Sequence, residues 1–315
     1  MKMPPTNDGI VVTGFSGLTP NGAIVQGQAT PVGFESFQER TYAGKSGIGP
    51  PELIAPNVPI VEEEVPGPDG AKEKISRPVI NAIGMIPVPN LRDWIKANLK
   101  GVIQSPKELK YLGPVSTMGL IVAAWALQSS RLLAGKILCP GQEHRRLSVH
   151  VAANQSACPF AESQAIGQGL APSHGLWEFM LACKRLDPCS SMRFMASSTA
   201  AACCRQLGEQ SWLAATTHTE ACASFGYALR EAYHHLLLGL SDIAVVVGSD
   251  SPCEPYGLAS FLNTSVISTR KCRPEEASAP GDLCRDGFVL AEGAGAVVLE
   301  RREDAEARGA DIWAL

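Results

Sequence analysis

Short unbroken apolar runs alternate along this chain with longer stretches whose apolar residues recur at helical spacing. Ile10-Val11-Val12-Thr13-Gly14-Phe15, Leu147 to Ala153, Ile243 to Gly248 and Ala294 to Glu300 read as buried strands. Leu213-Ala214-Ala215-Thr216-Thr217 reads as a further strand, with Trp212 at its head. Helical patterns cover Phe34 to Tyr42, Pro114 to Leu133, Ser191 to Leu207, Ser224 to Leu240 and Arg302 to Arg308, the last two closed by Gly239 and Gly309. In Pro114 to Leu133 the apolar positions Met118, Leu120, Ile121, Ala124 and Leu127 fall on more than one face, which predicts deep burial. Ser191 to Leu207 is rich in Ala and Ser, and small side chains let backbones approach. It is expected beside the helix that starts at Ser224. Unbroken apolar strands separated by helices predict an α/β fold with a sheet covered on both faces. Gly49 to Pro78 is dense in Pro and Glu and reads as an exposed excursion.

Composition narrows the function classes. At 315 residues the chain suffices for one large or two ordinary domains. A net charge of -4 without a basic block argues against nucleic-acid binding. The opening residues lack an apolar leader core, and the run Met118 to Leu127 is too short to span a bilayer, so a cytoplasmic protein without membrane contact is expected. The ten cysteines include no Cys-x-x-Cys pair and no Cys/His set with zinc-site spacing. Reduced thiols and no metal are therefore expected. No phosphate-binding glycine loop follows the first strand, and no Gly-x-Ser-x-Gly elbow occurs.

The strongest chemical signal is Thr219-Glu220-Ala221-Cys222-Ala223-Ser224. It places Cys222 between a strand and a helix, on the first helical turn. Helix starts carry unpaired N–H groups and a partial positive charge, which favour thiolate and can hold an oxyanion. A cysteine there is a candidate acyl-carrying nucleophile. Cysteine is equally at home as a small buried hydrophobe, so the local pattern leaves both roles open. Glu292 enters the glycine-rich start of the last strand and must be paired there, as a structural hydrogen-bonding group or near a site.

Several segments together resemble the N-terminal half of the β-ketoacyl synthases, in the thiolase-like superfamily of condensing enzymes. They are the opening strand with Thr19-Pro20-Asn21-Gly22, Glu220-Ala221-Cys222-Ala223-Ser224, Ala228 to Gly239, Ala244 to Gly248, Ser268-Thr269-Arg270, Arg285-Asp286-Gly287-Phe288-Val289 and Glu292-Gly293-Ala294-Gly295. The resemblance implies a thiolase-like layered α/β/α fold, the N-terminal half of a duplicated condensing-enzyme architecture, as one domain over 1–315. Residues 50–110 form an excursion without a clear family counterpart. It implies that Cys222 takes an acyl group from an acyl-carrier-protein thioester, with its own backbone N–H in the oxyanion hole, for decarboxylative condensation in fatty-acid or polyketide synthesis. No cofactor is implied beyond the phosphopantetheine on the carrier that presents the substrate. The implied assembly is a homodimer, or a heterodimer with another ketosynthase-like chain.

The family's two histidines, lysine and second oxyanion segment belong to its C-terminal half. None of the six histidines here lies in a matching motif, and His234 and His235 fall about three helical turns beyond Cys222. The expectation is acyl loading without condensation by the chain alone. The alternatives are a non-catalytic partner subunit akin to a chain-length factor, or a truncated remnant.

Overall fold

The computed structural model describes residues 9–26, 28–50, 60–66, 72–80, 82–88, 90–139, 141–153, 189–193, 195–208 and 212–314. Its frame is a six-stranded mixed sheet. The strands are β1 (Ile10–Thr19), β2 (Gly22–Val25), β3 (Leu147–Ala153), β4 (Trp212–His218), β5 (Ile243–Asp250) and β6 (Gly293–Arg301), in the spatial order β4-β3-β5-β6-β1-β2. β4 and β5 flank β3 in parallel, and β6 and β1 continue antiparallel. Every residue of β3 is buried, as its unbroken apolar run requires of a strand covered on both faces. Around the sheet stand the helices α1 (Phe37–Tyr42), α2 (Leu91–Asn98), α3 (Pro114–Ser129), α4 (Ser198–Gln206) and α5 (Ser224–Leu237).

Two different layers cover the sheet. On one face lie α3 and α4, over Leu147, Val149, Val151, Val245, Val247 and Val298. On the other lies α5, whose Ala228, Ala232 and Leu236 pack on Ala152, Ala244, Val246 and Leu299. The layered α/β/α arrangement predicted from the sequence is thus the one found. Alternation along each strand sends neighbouring side chains to opposite layers.

The expected neighbourhood of α4 is corrected. It packs against α3, β3 and β4, across the sheet from α5. Its small residues do permit close approach, but to α3. A Cβ on Gly119 of α3 would meet Thr199 Cγ2 of α4 at 2.5 Å. α3 itself is buried on all sides, from Val115 through Leu127.

The stretch 50–110 divides. Ile60–Pro66 and Lys72–Pro78 pair as an antiparallel ribbon. In contrast, α2 and the segment 99–109 enter the core. Asn90 Oδ1 caps this helix by accepting from Asp93 N, and Ile95, Ile103 and Leu109 are fully buried against the α3 cluster. Residues 91–109 therefore belong to the domain's interior, outside the segment 49–78 that the sequence marks as exposed. Among the described residues, no helix is long and apolar enough to cross a membrane.

Candidate active site

Cys222 occupies a single 3-10 turn, Ala221–Ala223, that joins edge strand β4 to α5. The turn is built by three local features. Ala221 takes a left-handed φ of 52°, unusual for a residue with a Cβ. Ala223 N donates to Glu220 O at 3.1 Å, and Ser224 Oγ donates to Ala221 O at 2.7 Å. Together these bend the chain out of β4 and start the helix. Phe225 then closes on the backbone of β5, made possible by Gly248: a Cβ there would come within 2.9 Å of Phe225 Cδ2.

The Cys222 thiol is free and exposed. Within the turn the Ala223 N–H is taken by Glu220 O and the Ser224 N–H by Ala221 O. The arrangement therefore offers an exposed cysteine at the start of a helix, where the helix dipole favours negative charge. Three other thiols, Cys203, Cys204 and Cys253, are poor competitors. Burial pushes Cys203 and Cys253 far above the ordinary thiol range and Cys204 up to about 11. The described cysteines are all unbridged.

The remaining motifs hold the loops around the open end of the sheet. Asp286 accepts from Ser268 Oγ at 2.5 Å and from Thr269 N at 3.1 Å, tying Ser268-Thr269-Arg270 to Arg285-Asp286-Gly287. Gly287 is required where these segments meet, because a Cβ would stand 2.5 Å from the carbonyl carbon of Ile267. Glu292 accepts from Ser251 Oγ at 2.7 Å and from Ile86 N at 3.1 Å, while its own N–H donates to Gly84 O at 2.9 Å. Of its two possible roles, the observed partners supply the structural one: Glu292 clamps the end of β5 to residues 84–86.

The sequence reading passed over a group of imidazoles on the α5 side of the sheet. His150 of β3 is fully buried. Its Nδ1 lies 2.9 Å from Thr216 Oγ1 of β4, and its Nε2 3.0 Å from Ser148 Oγ. Thr216 in turn lies 3.2 Å from His218 Nε2, and His235 of α5 meets His150 edge-to-face with ring centroids 4.7 Å apart. Parallel pairing sets Thr216 opposite His150, which separations of 66 and 85 residues along the chain hide. Elsewhere, a depression of about 350 Å³ is lined by Lys107, Lys110, Arg205, Glu108, Tyr111 and Met192.

Comparison with known proteins gives the family and the fold. The family model described as "Beta-ketoacyl synthase, N-terminal domain" matches residues 7–305. A 3-oxoacyl-[acyl-carrier-protein] synthase 2 of Rhizobium meliloti is 45% identical over 95 residues, 30% of this chain and 23% of that protein. A β-ketoacyl synthase crystal structure from Burkholderia phymatum superposes with a TM-score of 0.66 at 22% identity, covering 97% of this chain and 62% of that one. A type II PKS acyl-carrier protein in complex with its ketosynthase gives a TM-score of 0.62 at 22% identity, covering 97% and 61%. The chain thus spans under two thirds of the structures it matches. At this identity the structures establish the fold.

Proposed function

The chain belongs to the β-ketoacyl synthase family, and on that premise we propose that Cys222 is its acyl-accepting nucleophile. The observation that carries the reading is an exposed cysteine on the turn between β4 and the start of α5. The sulfur attacks the carbonyl carbon of a thioester carried on the phosphopantetheine arm of an acyl carrier protein. The carbonyl oxygen becomes an oxyanion, held by the backbone N–H of Cys222. The bond from carbon to the pantetheine sulfur then breaks, and the departing thiolate takes the proton that Cys222 gave up. The acyl group is left on Cys222 for condensation with a decarboxylating extender unit.

That second step builds an enolate, which needs a positioned donor. His150 does not offer one, since both its ring nitrogens are engaged with Thr216 and Ser148. Acyl loading is thus the step proposed for these residues, with the enolate donor supplied by a partner chain. A second ketosynthase-like chain is favoured as partner by the apolar row that α5 turns outward, Leu229, Tyr233 and Leu237, with Leu240 just beyond. The cationic rim of Lys107 and Lys110 suits the phosphate-bearing carrier.

Mass spectrometry after incubation with an acyl carrier thioester tests the reading. One acyl mass on wild-type protein and none on Cys222→Ala is expected. Well-folded protein with Cys222 unmodified refutes it. Charge reversal at Lys107 and Lys110 should slow loading from the carrier and spare loading from a free pantetheine thioester.

A further inference from the structure

We propose that the contact between His150 and His235 is a proton-sensitive latch holding α5, and with it the Cys222 turn, against the sheet. Its bearing on acyl transfer rests on the reading of Cys222 above; the latch itself does not.

The hydrogen bonds fix a neutral arrangement. Ser148 Oγ donates to Ser241 Oγ at 3.0 Å, so His150 Nε2 must donate to Ser148. His150 Nδ1 is then the acceptor, and Thr216 Oγ1 donates to it. Thr216 can accept from His218 Nε2 at the same time. A second proton on His150 would require the Thr216 hydroxyl to turn and donate toward His218 instead. His235 adds to the constraint, because its Nδ1 is buried without a hydrogen-bond partner.

Among the described residues, none offers His150 a counter-charge at contact. Across the sheet from it β5 presents Val246, β4 presents Thr216 and His218, and α5 presents His235 with the small residues Ala228 and Ala232. The nearest carboxylates serve the outer imidazoles: Glu231 lies 3.5 Å from His235 Nε2, and Glu220 3.7 Å from His218 Nδ1. Beyond Ser241, Arg301 and Asp242 pair with each other. Burial first, then His235 and His218, hold His150 down to about 3. Lifting α5 uncovers His150 and lets it take a proton near its ordinary value of about 6.5.

Linkage sets the size of the effect. An opening that frees one imidazole of ordinary affinity is favoured about tenfold more at pH 5.5 than at pH 7.5. Hydrogen-exchange mass spectrometry on the intact chain reads this directly, as protection factors corrected for intrinsic exchange. We expect α5 to be less protected than α3, and its protection to fall about tenfold between pH 7.5 and pH 5.5. In His150→Gln, or His150→Leu if the amide does not pack, the fall in α5 should shrink below twofold. Equal protection of α3 and α5, which would mean that α5 opens only when the whole fold does, or an undiminished fall in the His150 variant, overturns the latch. Backbone protection needs no reactive thiol, so failure of the latch and failure of acylation are separate outcomes. If both proposals hold, iodoacetamide labelling of Cys222, corrected for thiol ionisation, shows the same His150-dependent step.

Discussion

The two long helices on either side of the sheet are built on opposite plans. α3 is buried all around, from Val115 to Leu127, wedged between β1, β5, β6 and α4. α5 buries only Ser224, Ala228, Ala232 and Leu236, and shows Leu229, Tyr233 and Leu237 to solvent at 39%, 45% and 40% exposure. A helix apolar on every side is a strut whose contacts are complete. A helix with a small-residue face inward and a large apolar face outward has half its contacts still to make. The Cys222 turn stands at the start of the second kind, so the candidate chemistry sits on the uncovered layer.

Substitutions on the two sides should differ sharply. The largest loss is expected where charge is buried. Glu300 is wholly enclosed and is held by Arg145 at 2.6 Å, Arg308 and Thr13. Glu300→Gln should cost about 3 kcal/mol in urea unfolding, because it leaves two guanidinium groups short of their partner. Ile121→Ala in α3 comes close behind, at about 3 kcal/mol for lost contacts and a cavity. Leu237→Ala on α5 should change stability by less than about 0.5 kcal/mol. It should instead reduce self-association in sedimentation, and a Leu237 variant as destabilising as Ile121→Ala would show that α5 is already covered.

Acid should act on both layers in sequence. His150 is neutral when folded and protonates near pH 6.5 when unfolded, so the unfolded state binds the extra proton. Its stability is fully present above that pH and is lost toward about 3, with a slope of about 1.4 kcal/mol per pH unit. Burial pulls the Glu300 carboxyl up, but Arg308, Thr13 and Arg145 outweigh it and hold it low. Its stabilisation is present above the ordinary carboxylate range and is lost only at lower pH. Chemical denaturation at stepped pH should therefore give an early loss that His150→Gln removes and a later one that Glu300→Gln removes.

Much of the fold was legible in the chain. β3 and β5 announce themselves as unbroken apolar runs, and α3 by apolar residues on every face. Cys222 was readable because a strand and a helix meet within a few residues around it. Contacts set by strand order were not legible. The side of the sheet on which α4 packs depends on β3 lying between β4 and β5, which no local pattern encodes. The burial of Ile95 and Ile103 was masked by the polar residues around them. The imidazole group was invisible for the same reason as α4: His150, His218 and His235 come from three elements that only the register aligns.

The left-handed backbone at Ala221 bears on how the turn could be re-engineered. A side chain in that region costs about 1 kcal/mol that glycine would not, while glycine loosens the unfolded chain by a comparable amount. Ala221→Gly should thus be nearly silent in a melting curve. Its effect would be on aim: with more orientations open to the bend, the sulfur would spend less time where its attack is productive.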